Sequence, residues 1–188
     1  MRKSQITTLF VLIIICLFPT AKCFCQSGIA VDTLKNMMIK DWERAKAYTQ
    51  DYMKAMPADK YSFKATDSVR SFAQQLLHLA QANKFFMTIA TGNKVSMSGT
   101  DLEKSASAQS ADSVMYYVNS SYDNVINTIK NISPASLMQT QMFNMGQPIS
   151  ASGFGWIMKA FEHQTHHRGQ TTIYIRLVGA HPPQERLF

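Results

Sequence analysis

Three histidines are the residues of this chain whose type and spacing could do chemistry. His163 and His167 stand four apart in the run Phe161-Glu162-His163-Gln164-Thr165-His166-His167-Arg168-Gly169-Gln170. On a helix that spacing places both imidazoles on one face, about one turn apart. Two such rings can share a metal ion. A third imidazole from a facing helix would complete a three-nitrogen site with open coordination positions. His78, in Leu76-Leu77-His78-Leu79-Ala80, is the candidate for that third ligand. The ion would be a divalent Zn, Ni or Fe, since imidazole ligands alone do not choose among them. Binding needs neutral imidazoles, so affinity is expected to fall as the pH drops below about 6 to 6.5.

Other assignments stay open on spacing alone. Glu162 and His166 are also four apart. A single histidine inside an apolar helix, such as His78, is more often a hydrogen-bonded core residue than a ligand. Burying three imidazoles together without an ion has a desolvation cost and no evident benefit, which favours the metal site over a metal-free bundle. His166 is expected to be exposed, and His181, beside Pro182, to be a loop residue. No HExxH is present, because Gln164 and Thr165 follow His163, so the zincin mechanism with its built-in glutamate base is excluded. There is no glycine-rich phosphate loop and no G-x-S-x-G elbow. No general base is identified: Tyr174 and Gln170 share the histidine stripe and Asp41 lies on the first helix, but hydrogen-bonding and surface roles suit all three better. Arg168 suits a structural hydrogen bond or salt bridge.

The elements that must position these residues are helices. The first is expected over residues 32–56, where Met38, Trp42, Ala45, Thr49, Tyr52 and Met56 form a stripe and Pro57 stops the run. The second is expected over residues 67–90, with Thr66 or Asp67 as N-cap, Val69, Phe72, Leu76, Leu79 and Phe86 inward, and Gly92 at its end. A polar stretch over residues 91–110 reads as a crossover between helices. The third helix is expected over residues 112–131, with Val114, Val118, Ser121, Val125 and Ile132 on its buried side. Residues 135–152 are mixed and allow a short hairpin. The fourth helix is expected over residues 154–178, with Trp156, Ala160, His163, His167, Gln170, Tyr174 and Leu177 inward, ended by Gly179 and Pro182-Pro183.

The chain has 188 residues. Residues 1–25 carry a basic start, a short apolar run from Leu9 to Phe18 and small residues after it, the pattern of a secretory signal peptide. The run is short for a membrane span. The expectation is an exported, periplasmic or secreted protein whose mature part, residues 26–188, is one domain with no stable membrane anchor; an uncleaved anchor is the alternative. All three cysteines (Cys16, Cys23, Cys25) fall in the leader, so the mature part has no disulfide, no thiol nucleophile and no cysteine ligand. The leader holds three basic residues and no acidic one, so its removal lowers the formal charge from +7 to +4. That excess is not clustered among aromatics, which argues against nucleic acid as a partner.

The run His163-Gln164-Thr165-His166-His167-Arg168-Gly169-Gln170, continued through Tyr174-Ile175-Arg176 to Gly179 and Pro182-Pro183, resembles the last helix of the DinB-like superfamily. The stretch from Ser68-Val69-Arg70-Ser71-Phe72 to His78 resembles its second helix. The resemblance implies an all-α fold, a four-helix bundle with up-down-down-up order and a long crossover. It implies a divalent metal held by His78, His163 and His167. Some relatives transfer small thiols such as bacillithiol, mycothiol or glutathione, and relatives commonly dimerise, so a homodimer is among the expected states. Export sets this chain apart, because such thiols are mainly cytosolic. The resulting expectation is a metal-dependent enzyme, hydrolase or thiol/group transferase, acting on a small-molecule substrate. The alternative is a non-catalytic module that binds a metal or a small ligand.

Overall fold

The computed structural model describes residues 30–96, 99–144 and 146–188. The expected leader and its cysteines lie outside the described residues. Four long helices carry the fold: α1 (Val31–Ala55), α2 (Phe72–Ala90), α3 (Ala111–Asn131) and α5 (Gly153–Leu177). A short helix, α4 (Pro134–Met138), and an antiparallel hairpin of β1 (Thr140–Asn144) and β2 (Pro148–Ser152) link α3 to α5. No helix among the described residues is long and apolar enough to cross a membrane.

Local chemistry sets the helix ends. Ser71, Ser110, Ser133 and Ser152 each sit at an N-cap with extended backbone, and each hydroxyl accepts from the backbone N–H three residues on. At Ser71 the cap is reciprocal, because the Gln74 side chain accepts from the Ser71 N–H at 2.9 Å. That capping box starts α2 at Phe72, five residues later than the periodicity suggested, and leaves Val69 and Arg70 in the preceding turn. At the other end, Asn93 donates back to the Thr88 carbonyl and Gly92 to that of Ile89. Gly92 has a φ of 72° and Gly179, closing α5 in the same way, one of 82°. Both positions need the left-handed region, where a side chain is strained.

Pairwise contacts give the arrangement. α2 packs on α3 and α5, and α1 packs on the same two helices, so α1 and α2 are diagonal. Gln50 meets Asn119 and Lys46 meets Asp123, so α3 runs antiparallel to α1. Trp42 meets Phe161 and Tyr52 meets Thr172, so α5 runs parallel to α1. Gln75 meets Tyr174 and Phe86 meets Trp156, so α5 runs antiparallel to α2. The result is a four-helix bundle with up-down-down-up order. Because α2 and α3 point the same way, the chain between them must travel the length of the bundle.

The core follows the expected stripes. Every named stripe residue of α1 and α3 is buried, with Trp42 and Tyr122 edge to face at 5.7 Å near the centre. On α5, Trp156, Ala160, His167 and Tyr174 of the expected stripe are buried and His163 and Gln170 half-buried, but Leu177 is 57% exposed, while Gln164, Arg168, Thr171 and Ile175 are buried. The expected stripe was a strict heptad series, and a straight helix drifts about 20° per heptad from it. Three heptads after Trp156 the drift has carried Leu177 out of the interface. The C-terminal tail folds back on α1, where Arg186 pairs with Asp51 and its carbonyl accepts from Arg44.

Candidate metal centre

Antiparallel packing of α2 against α5 brings His78 opposite His163 and His167. The ring centroids are 5.1 Å apart for His78 and His163, 4.6 Å for His78 and His167, and 4.4 Å for His163 and His167. One ligand atom from each ring lies within 4.8 Å of the others. Nitrogens at about 2.0–2.1 Å from a shared zinc ion would be at most about 4.2 Å apart, so small rotations would close the set onto one ion.

Two of the rings are fixed through Nδ1. His78 Nδ1 lies 2.6 Å from Glu103 Oε1, and His167 Nδ1 lies 2.7 Å from Gln75 Oε1. A carboxylate and an amide oxygen only accept hydrogen bonds, so Nδ1 is the donor in each ring and Nε2 keeps its lone pair. His163 differs: its Nδ1 is buried and has no hydrogen-bond partner among the described residues. Its ring stands edge to face with Phe86 at 5.7 Å. A buried, unsatisfied nitrogen costs free energy in the protein alone, and its presence beside two imidazoles with free lone pairs suits a centre completed by an ion or a bound molecule.

Burial keeps the two α5 rings ready to ligate. Burial pushes the His163 imidazole down from 6.5 to about 4, aided by His78, His166 and Arg70 nearby. Burial and the neighbouring His163, His78, His166 and Arg70 push His167 down to about 3. Protons therefore leave these two nitrogens free well below the pH at which an unperturbed imidazole would be charged.

The centre borders an open cleft of about 730 Å³. His167 forms part of its wall, together with Arg70, Gln75, Glu103, His166 and Gln170, and among its described wall residues only Val69 is apolar. Tyr174, buried, donates to the Arg70 carbonyl at 2.7 Å and does not line the cleft. Asp41 is on the exposed surface of α1, paired with Arg44. The rival pair on α5 is separated: Glu162 is exposed and bound to Lys159, and His166 contacts Gln170 at the cleft wall. Arg168 is buried, donates to Gln164 at 2.8 Å and lies 4.6 Å over the Tyr48 ring.

Sequence reasoning did not find Glu103, Gln75 or Arg70. Gln75 left a signal, since it sits three residues before His78 on an inward face of an apolar helix. Glu103 left none, because the crossover has no periodicity from which to read a direction.

A model of the DinB family matches residues 31–186 of this chain. Two solved structures share the fold. A DinB-like protein from Bacillus cereus is 16% identical, with a TM-score of 0.65 over 80% of this chain and 97% of that one. A DinB-like protein from Bacillus subtilis is 17% identical, with a TM-score of 0.57 over 81% and 97%. No functionally curated protein matches. The chain belongs to the DinB family.

Proposed function

We propose that this protein holds one divalent metal ion on His78, His163 and His167 and uses it on a small polar substrate bound in the adjacent cleft. The observation that carries the reading is the convergence of three imidazoles from two helices, two of them with their Nδ1 atoms fixed and one with a buried orphan nitrogen. When bound, a divalent ion would supply Lewis acidity, acidifying a water molecule or polarising a carbonyl or thiol. The residues of the chain supply the rest. His78, His163 and His167 offer ring nitrogens from two packed helices. The side chains that line the cleft, all but Val69 polar or charged, offer hydrogen bonds and charge to a hydrophilic substrate. Three protein ligands beside an open cleft favour chemistry, as hydrolysis or group transfer, over a closed structural staple, which would call for a fourth protein ligand.

We further propose that the protein works outside the cytoplasm, on the strength of the leader-like pattern of residues 1–25. A role with cytosolic thiols fits that location poorly, so hydrolysis or transfer with another cosubstrate is favoured. Elemental analysis of the purified protein, before and after reconstitution with Zn²⁺, Ni²⁺ and Fe²⁺, tests the metal. About one ion per chain, with turnover of a small polar substrate that chelation abolishes, is expected. A protein that takes up no ion under any of these conditions sinks the proposal. N-terminal sequencing of protein from the native host tests export, with a start near Gln26 expected and full-length protein in the cytosol contradicting it.

A further inference from the structure

We infer that Glu103, on the crossover, is a positioning residue for the histidine centre, and that Arg70 ties it to the support of a second histidine. The inference rests on the metal-binding reading above. Glu103 touches none of the three rings except through His78 Nδ1, yet both of its carboxylate oxygens are committed. Oε1 accepts from His78, and Oε2 accepts from Arg70 Nε at 2.5 Å. Arg70 Nη2 also lies 3.3 Å from His78 Nδ1. That contact cannot be a hydrogen bond while Nδ1 gives its proton to Glu103, so the carboxylate decides the tautomer. A carboxylate–histidine pair of this kind orients the ring and raises the basicity of the free nitrogen. Its strength comes from charge: hydrogen bonds with one ionised partner are about twice as strong as neutral ones.

The crossover is built to hold Glu103 in place. The Glu103 carbonyl accepts from Gln74 at 3.1 Å and from Gln109 at 3.2 Å. Its N–H donates to Asp101 at 3.1 Å. The preceding Leu102 N–H donates to Gln81 Oε1, also at 3.1 Å. Gln74 and Gln81 flank His78 on α2, so the helix that presents the ligand also anchors the loop that orients it. The second arm runs through the same arginine. His167 donates to Gln75, Gln75 donates to the Tyr174 hydroxyl at 3.3 Å, and that hydroxyl donates to the Arg70 carbonyl. Arg70 therefore closes one connected network around two of the three imidazoles: its side chain works through Glu103 on His78, its backbone through Tyr174 and Gln75 on His167. The two arms differ in kind, one ending on a charged acceptor and the other on a neutral amide.

The experiment compares wild type, Glu103→Gln and Glu103→Ala. Zn²⁺ affinity is measured by chelator competition, the visible spectrum of the Co²⁺ form reports ligand geometry, and ¹⁵N shifts of His78 in the metal-free protein report its tautomer. Circular dichroism confirms folding. Loss of the carboxylate should lower Zn²⁺ affinity roughly ten- to a hundredfold in Glu103→Ala. The Co²⁺ bands should shift, and the Nδ1–H tautomer of His78 should give way to a mixture. Glu103→Gln keeps an acceptor without the charge and should fall between the two. If Glu103→Ala unfolds, Glu103→Gln carries the test through the tautomer and affinity. Wild-type protein that binds Zn²⁺, with both variants within twofold of it and His78 unchanged, overturns the role of Glu103 and leaves the metal site standing. Wild-type protein that binds neither ion overturns both.

Discussion

Helix α5 presents two polar pairs, offset by one residue, that meet opposite fates. Gln164 and Arg168 turn into a closed layer. Tyr122 donates to Gln164 Oε1 at 2.8 Å, Arg168 donates to the same oxygen, and Thr49 meets the Tyr122 hydroxyl at 2.7 Å. His163 and His167 turn toward α2; His163 keeps a buried, unpartnered nitrogen, and His167 forms part of the wall of an open cleft. Both pairs use the same i,i+4 spacing on the same helix, so spacing alone does not separate structure from site. What separates them is satisfaction. A buried polar network with its partners in place specifies a core, and one left incomplete points to something outside the chain.

The largest expected effects come from the open pair. His163→Ala, His167→Ala and His78→Ala should each reduce the metal content from about one ion per chain to near none, because two remaining imidazoles make a weak site. His166→Ala should leave the content nearly intact, since His166 stands outside the cluster. Elemental analysis of the four variants reads this directly. Equal loss in His166→Ala, with retention in His163→Ala, would put the ion on the other stripe of α5.

A pH profile sharpens the contrast next. In the unfolded chain both imidazoles titrate near 6.5, whereas in the folded chain His163 and His167 are held at about 4 and about 3. The unfolded state therefore binds more protons between those values, and stability rises with pH there. The contribution of these histidines is fully present above about pH 6.5 and is lost as the pH falls toward 3. Denaturant melts of the metal-free protein between pH 8 and 4.5 should show this loss, and a His163→Gln/His167→Gln double variant should flatten the profile. An equally steep fall in the double variant would assign the effect elsewhere. The same burial revises the sequence-based expectation for metal release: these two nitrogens resist protonation to well below pH 6.5.

The closed layer should respond in stability and not in metal content. Arg168→Ala removes a charged hydrogen bond to Gln164 and the stacking on Tyr48. Typical values for those contributions are about 1.5–3 and 0.5–2 kcal/mol, so a loss of about 2–5 kcal/mol is expected. Thermal or urea unfolding measures it, with metal content as the control. A variant that unfolds like wild type but loses its ion would join Arg168 to the site.

How much of this was legible follows from where each residue sits. The bundle could be read because apolar stripes at helical spacing run through all four long helices, and Trp42, Val118 and Trp156 fall where the stripes put them. His163 and His167 could be brought together because one helix carries both. His78 could be matched to them only through its apolar setting and the family resemblance. Glu103 belongs to a different class: its direction is set by hydrogen bonds to its carbonyl from Gln74 and Gln109 and by the Leu102 N–H donating to Gln81, and no local pattern encodes that. The start of α2 was missed for a related reason. Thr66 and Asp67 are good caps by type, but the reciprocal bond between Ser71 and Gln74 depends on a pairing three residues apart that outweighed either.

The smallest effect tests whether the closed layer is as redundant as it looks. Tyr122→Phe deletes one hydroxyl at the centre of the core. Its two partners have other bonds: the single Thr49 proton, given to Tyr122 when Tyr122 donates to Gln164, can turn to the Ala45 carbonyl 2.8 Å away, and Gln164 Oε1 still accepts from Arg168. No buried group is left without a partner, so the cost should be that of one ordinary hydrogen bond, about 1 kcal/mol, and not the larger penalty of an orphaned donor. Phenylalanine also preserves the edge-to-face contact with Trp42. Urea unfolding of the variant should give a midpoint shift of that size with an unchanged slope and unchanged Zn²⁺ content. A loss above about 3 kcal/mol would show that the hydroxyl holds Gln164 and Arg168 in place. The layer would then be a single cooperative unit, and α5 would carry two networks that depend on completion instead of one.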